Sequence, residues 1–296
     1  MDKMKRFFNH FLVAIGAFAS MLTMVSFFFS IKWNDYPVLT WIVIAIIVLA
    51  CLCYASLQVS RKTRISIKVS ENFQLIVKEG NLFDQKGVIV IPVNDFFDTH
   101  VGDGIIDSRS VHGQFINKLF LDRVEELDHK IEKSIHDQGL TGVVVDSRVK
   151  GKSIKYPLGT CVDIMDGGNK YICVVTTEFD GDNVARLSKE NLSKVVYGLF
   201  AHLEIVAGCD LVNMPVIGAG NARLNRSTER ILHYLIDYFD FSLSDRKILG
   251  GVQILIPSLK DINLNRIESI FGKSVDKCFF YSCVSSMTAL QALTTL

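Results

Sequence analysis

The sequence lacks a surplus of charge of either sign. Its 296 residues contain 32 lysines and arginines against 31 aspartates and glutamates, so the formal net charge is +1. The balance stays near neutral beyond residue 60. A protein whose main partner is nucleic acid carries a basic face or stripe. The even balance therefore argues against nucleic acid as the main partner.

The sequence also lacks the motifs of several common sites. Its seven cysteines form no C-x-x-C pair, and no cysteine–histidine spacing is that of a zinc site. We interpret the cysteines as reduced thiols used as small apolar residues, and we predict no metal and no cofactor. Neither the Walker pattern nor the Rossmann glycine spacing occurs, which disfavours a kinase, a GTPase or a dehydrogenase.

Charge is absent from two long stretches near the amino terminus. Residues 11–31 and 38–57 are uncharged, and each is long enough to cross about 30 Å of hydrocarbon as a helix. Between them, residues 32–37 carry aromatic side chains suited to a membrane interface. We predict a transmembrane helical hairpin over residues 1–60. A signal peptide is the alternative for the first stretch, and its length argues against that alternative.

Basic residues flank the predicted hairpin on both sides, three of them within positions 3–6 and four within positions 61–68. By the positive-inside rule, both termini are then cytoplasmic. The second cluster also lies where it would meet anionic lipid headgroups. Neither stretch contains an ionisable residue, so we predict no ion pathway through them.

Beyond residue 60, apolar strand patterns alternate with helical ones. The predicted strands are 65–69, 73–77, 88–91, 143–145, 160–164, 171–177, 211–217 and 252–256, and the predicted helices are 110–138, 192–207 and 227–239. This alternation predicts an α/β domain over residues 61–277, with a largely parallel sheet covered by helices on both faces. Residues 278–296 are predicted to form a tail, either a terminal helix or frayed; their many polar residues disfavour a third span.

Two strand–loop–helix units carry glycines after the strand. The first, 88–115, contains Gly102-Asp103-Gly104, and the second, 211–239, contains Gly218-Ala219-Gly220-Asn221. Glycines let backbone N–H groups approach a phosphate, and a following helix adds partial positive charge. Open α/β sheets bind ligands at the carboxyl ends of their strands. The two loops therefore predict the walls of one phosphate-binding crevice.

Four motifs in order resemble the landmarks of a macro domain: 79–82 (EGNL), 89–94 (IVIPVN), 102–105 (GDGI) and 215–220 (PVIGAG). Segments 94–99 (NDFFDT) and 110–115 (SVHGQF) are similar to a narrower subfamily, the macro domain of membrane-anchored effectors of the Thoeris antiphage system. The resemblance implies a mixed, largely parallel sheet between helices.

The resemblance also implies a ligand derived from ADP-ribose. Asn81 would face adenine, Asn94 would lie by the distal ribose, and Arg223 would reach a charged substituent. The two glycine loops would hold the diphosphate. The predicted ligand-binding residues are Asn81, Asn94, Thr99, Gly102, Asp103, Gly104, Ile105, Gly218, Ala219, Gly220, Asn221 and Arg223.

Hydrolases of the macro fold keep an acidic residue two positions after the Gly-x-Gly pair, where this sequence has Ile106. We therefore predict a sensor without catalytic residues. By resemblance, it would bind a histidine adduct of ADP-ribose made by a TIR-domain enzyme, form a homo-oligomer and disrupt the membrane. The alternatives are a tethered hydrolase that uses Asp98, Asp103 or His112, and a passive reader of ADP-ribosylated proteins.

Overall fold

The computed structural model describes residues 2–29, 36–60, 62–71, 73–180, 184–220, 224, 226–243 and 245–271. The chain divides into two compact units, Met1–Lys62 and Thr63–Leu296. The predicted tail, 278–296, lies outside the described residues, as do positions 30–35 between the two predicted spans.

The first unit contains two long helices, α1 (Asp2–Phe29) and α2 (Pro37–Ser60), which contact each other. Within them, Phe7–Phe27 and Thr40–Gln58 are long and apolar enough to cross a membrane. Only 6% and 11% of the residues in their most apolar stretches are buried, whereas the core helix of a soluble domain is mostly buried. By length and composition, both helices fit membrane spans.

The second unit contains ten strands and five longer helices among its described residues. The strands are β1 (Arg64–Ser70), β2 (Phe73–Glu79), β3 (Val88–Asn94), β4 (Val143–Val144), β5 (Ile154–Lys155), β6 (Cys161–Asp166), β7 (Asn169–Phe179), β8 (Ala185–Arg186), β9 (Val212–Pro215) and β10 (Ile248–Ile256). The helices are α3 (Val111–Leu119), α4 (Val124–Asp137), α5 (Lys189–Val206), α6 (Thr228–Ser242) and α7 (Leu264–Phe271), with a short 3-10 turn at Leu82–Asp84.

The main sheet has the order β1-β2-β10-β9-β3-β7-β6, and β8 pairs with β7. The five central strands, from β2 to β7 in that order, are parallel to one another. The outer strands β1 and β6 are antiparallel to their neighbours. The predicted mixed, largely parallel sheet is therefore confirmed.

Helices cover both faces of the sheet. Because β3 is covered on both sides, its sequence is apolar from Val88 to Val93. Val88 and Val90 belong to the core shared with α5, α6 and α7, while Ile89, Ile91 and Val93 belong to the core shared with α3 and α4. A strand buried on both faces reads as a continuous apolar run. Full burial of such a side chain contributes about 1.5–3 kcal/mol.

The prediction of one helix over residues 110–138 is wrong, because the chain turns between α3 and α4. Ser110 caps the start of α3, where its Oγ accepts from the N–H of Gly113 at 3.0 Å. Phe120 follows the helix, is fully buried and packs on Phe115 with ring centroids 5.3 Å apart. Turning the chain here buries Phe120, and the apolar period resumes in the next helix.

Candidate functional site

Three of the predicted ligand residues follow parallel strands at one edge of the sheet. Asn94 ends β3, Asn81 comes shortly after β2, and Gly218 comes shortly after β9. Val88 in β3 pairs with Val212 in β9, so Asn94 at the end of β3 and Gly218 in the loop after β9 follow that pair by the same number of residues. Because the carboxyl ends of parallel strands meet at the same edge, the chain segments that lead from β3 and β9 to the two glycine loops leave the sheet side by side.

The side chain of Asn94 organises the loop that follows β3. Its Oδ1 accepts hydrogen bonds from the N–H of Phe96 at 3.1 Å and of Asp98 at 3.2 Å. Its Nδ2 donates to Oδ2 of Asp98 at 2.9 Å. Asn94 is only 3% exposed, so it holds the loop in shape at the position predicted to lie by the ribose.

The first glycine loop contains three successive residues with positive φ. Gly102, Asp103 and Gly104 have φ of 110°, 49° and 79°, which glycine adopts without strain and aspartate tolerates better than most residues. The N–H of Gly102 donates to the carbonyl of Ile106 at 3.0 Å, and the N–H of Ile105 donates to the carbonyl of Gly102 at 2.8 Å. Both isoleucines are buried and anchor an otherwise exposed loop.

The second glycine loop also depends on backbone conformation. Gly218 has a φ of +89°, a region that a side chain disfavours. Ala219 packs against the core, while Gly220 is exposed. The two remaining predicted residues of this loop, Asn221 and Arg223, lie outside the described residues.

Two further predicted ligand residues have local partners. Asn81 is exposed and caps the 3-10 turn: its Oδ1 accepts from the N–H of Phe83 at 3.2 Å, and its Nδ2 donates to Asp84 at 2.9 Å. An amide oxygen has two acceptor sites, so the predicted contact with adenine needs only the second. Thr99 is buried, and its Oγ1 donates to Asp128 on α4 at 2.8 Å.

A segment that no sequence pattern marked packs on the loop after β3. We call residues 145–156 the strap. Arg148 of the strap forms a paired contact with Asp98, with Nη2 to Oδ2 at 2.6 Å and Nη1 to Oδ1 at 3.2 Å. The N–H of Lys152 donates to the same carboxylate at 2.8 Å. The guanidinium also lies 3.6 Å from the ring centroid of Phe96.

The strap holds a second buried carboxylate of the same loop. Asp95 is fully buried, accepts from the N–H of Phe179 at 3.2 Å, and lies 3.2 Å from Nζ of Lys155. Burial raises the pKa of Asp95, against the charge of Lys155, which lowers it. No local sequence pattern distinguishes Arg148, Lys152 and Lys155 from solvent-exposed cations, because the carboxylates they contact are distant in the sequence.

The residues considered for catalysis have different environments. Ile106, at the position where hydrolases carry an acid, is 5% exposed and lies in the core beside α3 and α4. Asp103 is exposed, and its Oδ2 lies 2.9 Å from Nε2 of His100. No sequence pattern marked this histidine–carboxylate pair. Asp98, in contrast, is buried and forms an ion pair with Arg148 of the strap.

His112 lies in the first turn of α3 and is buried. Burial lowers the pKa of His112 to about 4, against the charge of Asp98 and a hydrogen bond to the backbone of Asp98, which both raise it. The imidazole is therefore neutral at pH 7. Its hydrogen bond to the backbone of Asp98 stabilises the loop after β3.

Acid is expected to destabilise the domain through His112. Between pH 6.5 and about pH 4 the unfolded chain binds a proton that the folded chain does not, so this contribution to stability is lost as the pH falls. The loss over the window is about 3 kcal/mol. Thermal unfolding of the detergent-solubilised chain at pH 7 and pH 4 measures it, and His112→Gln should flatten the slope. An identical slope in the variant would contradict the assignment.

A cavity of about 330 Å³ lies between the strap and α4. None of the predicted ligand residues lines it. Its lining residues are Phe96, Phe97, Asp128, Ile131, Glu132, Ile135, Lys152, Ser153, Ile154 and Tyr156. Within the described ranges, no three His, Cys, Asp or Glu side chains are grouped as a metal ion would need.

Five parallel strands that end beside two glycine loops, between two layers of helices, define an α/β domain of the macro class. Comparison with known families places it further. The family described as "Thoeris protein ThsA, Macro domain" matches residues 75–257. The chain therefore belongs to the ThsA macro-domain family.

A curated relative and several solved structures are similar to the chain. Thoeris protein ThsA of Bacillus amyloliquefaciens (strain Y2) is 26% identical over 186 residues, which cover 61% of this chain and 61% of that protein. A mutant macrodomain of Oceanobacillus iheyensis with ADPR has a TM-score of 0.47 at 12% identity, covering 73% of this chain and 98% of its own. A second mutant of that macrodomain has a TM-score of 0.49 at 12% identity, covering 72% and 100%.

Proposed function

We propose that the chain is the membrane-anchored effector of a Thoeris antiphage system, and that its macro domain binds a nucleotide derived from ADP-ribose. The observation that carries the proposal is the match to the ThsA macro-domain family over the strands that end at the two glycine loops. The relative named Thoeris protein ThsA supports the defence role, although the match spans only 61% of its length.

The proposed ligand is a histidine adduct of ADP-ribose made by a TIR-domain enzyme. Its diphosphate would lie against the loops at 102–104 and 218–220, where the space beside Gly102, Gly104 and Gly220 is open and lets an anion approach the backbone. Asn81 and Asn94, after the ends of two parallel strands, would flank it on the adenine and ribose sides.

The domain would read this ligand without turning it over. The burial of Ile106 supports that proposal, because the position where a hydrolase needs a carboxylate holds an apolar side chain in the core. The neutral, buried His112 is not placed as an exposed base. A sensor needs no reacting group, only a difference in affinity between two states of the protein.

The two apolar helices would produce the response to ligand binding, which is disruption of the membrane. We place them in the bacterial inner membrane with the amino terminus and the macro domain in the cytoplasm, on the distribution of basic residues. Ligand binding would favour a homo-oligomer, and the clustered helices would disrupt the membrane and kill the infected cell.

Dye-loaded liposomes that contain the full chain test this function. Adding the histidine adduct of ADP-ribose is expected to raise the oligomeric state, measured by crosslinking, and to release the dye. Plain histidine and AMP serve as controls. Nucleotide binding without any change in assembly or leakage would contradict the effector proposal and favour a passive reader.

A tethered ADP-ribosyl hydrolase is the second candidate, and the pair formed by His100 and Asp103 favours it, because a histidine beside a carboxylate can move a proton. Incubation of the full chain with an ADP-ribosylated protein distinguishes the two. Turnover that is abolished by Asp103→Asn would support the hydrolase; the absence of turnover supports the sensor.

A further inference from the structure

The strap is attached to the domain by charged contacts and, at its end, by the buried ring of Tyr156, which lies 5.3 Å from the ring of Phe97. Its apolar Val149 and Ile154 are 95% and 41% exposed, and a cavity separates part of it from α4. Three of its cations contact carboxylates of the domain body. The pairs are Arg148–Asp98, Lys152–Asp128 and Lys155–Asp95.

The pair formed by Arg148 and Asp98 is the most buried of the three. The two side chains are 6% and 1% exposed, and two parallel N–H···O contacts join them. The rings of Phe96 and Phe179 lie 3.6 and 5.6 Å from the guanidinium carbon. A planar guanidinium fits both the carboxylate and an aromatic face, which an ammonium group does not.

The carboxylate that Arg148 holds is also the one that orients Asn94. Oδ2 of Asp98 accepts from Nη2 of Arg148 at 2.6 Å and from Nδ2 of Asn94 at 2.9 Å. The second contact fixes which end of the Asn94 amide turns towards the N–H groups of Phe96 and Asp98. A continuous set of contacts therefore runs from the strap to the end of β3.

We propose that Arg148 is a positioning residue for the ligand crevice: through Asp98 it fixes the Asn94 amide and the loop that follows. The ligand class is that of the proposed function, an anionic nucleoside diphosphate with a second ribose, and the inference rests on that function. Arg148 also balances the charge of a buried carboxylate in a loop that would face an anion. Its side chain acts on the ligand only through these neighbours.

The test compares Arg148→Lys with the wild-type chain, full length in lipid nanodiscs, with ADP-ribose as the probe. Lysine keeps the charge but loses the paired contact, and we expect about a tenfold weaker affinity. Arg246→Lys is the matched control. Arg246 also pairs with a carboxylate, Glu204, at 2.7 Å and lies 5.0 Å from the ring of Tyr197, but neither contact is to the loop after β3. Its affinity should be unchanged.

A double-mutant cycle separates positioning from general destabilisation. If Arg148 acts through Asn94, Arg148→Lys should cost no further affinity in an Asn94→Ala background. Equal losses in both backgrounds would overturn the proposal. Hydrogen exchange of the wild type and of Arg148→Lys gives a second readout: exchange at Phe96 and Asp98 should rise while β7 stays protected. Unchanged exchange at these two amides would also overturn it.

The outcomes distinguish this inference from the proposed function. A wild-type chain that binds ADP-ribose, with an Arg148→Lys variant of equal affinity, overturns the role of Arg148 and leaves the function standing. A wild-type chain that binds no ADP-ribose derivative overturns both.

Discussion

Leu49→Asp is expected to abolish membrane disruption while leaving ligand binding intact. Leu49 lies near the middle of the apolar stretch Thr40–Gln58 and is 63% exposed on its helix. An ionised aspartate at the centre of a membrane span costs about 2.5–3.5 kcal/mol. Leakage from dye-loaded liposomes and viability of cells that co-express a TIR-domain enzyme measure the effect.

Leu49→Met is the matched control, because it keeps the apolar character and the approximate volume of the side chain. It should lyse liposomes as the wild type does. A chain that begins at Thr63, the first residue of the second compact unit, should bind the nucleotide and leave cells viable. Full toxicity of this shortened chain or of Leu49→Asp would show that the helices do not produce the response to ligand binding.

Gly218→Val is expected to weaken nucleotide binding. Gly218 has a φ of +89°, and a Cβ there would lie 2.4 Å from Cδ1 of Leu224. Forcing a β-branched residue into this conformation costs about 1–3 kcal/mol, which the loop would relieve by moving. If the loop loses its binding conformation by this amount, the affinity falls by about 5- to 150-fold. Isothermal titration of the full chain with ADP-ribose measures the loss.

Gly168→Val supplies the control for backbone strain alone. Gly168 has a φ of +79° with open space where a Cβ would be. It lies in the turn that leads into β7, at the opposite end of that strand from the crevice. Both valine variants should lower the unfolding temperature, but only Gly218→Val should lower affinity. Equal affinity in the two variants would remove the second loop from the site.

The sheet could be predicted from the sequence because its signals are local. Four consecutive apolar β-formers, Val88–Ile91, predict a strand buried on both faces, and the structure places all four in the two cores. The glycines at 102, 104 and 218 are predicted to lie in loops after strands; they do, and all three have positive φ. The helix break at Phe120 could not be predicted, because burial of one ring outweighs an unbroken apolar period.

The strap could not be predicted because its contacts are distant in sequence. Fifty positions separate Arg148 from Asp98, and nothing near either residue marks it as buried. Asn94 shows a related limit. Its position at the end of a buried strand predicts a ligand-binding site. The sequence alone does not distinguish an asparagine that contacts a ligand from one that stabilises its own loop. The structure shows that Asn94 holds its own loop, and its contact with the ligand stays a prediction.

Calorimetric titration of the full chain in nanodiscs, with ADP-ribose and with its histidine adduct, tests the central claim most directly. We predict saturable binding at one site per chain, tighter for the adduct, weakened in Gly218→Val and unchanged in Gly168→Val. The absence of binding to both nucleotides, or binding that Gly218→Val leaves unchanged, would contradict the claim that this crevice reads an ADP-ribose signal.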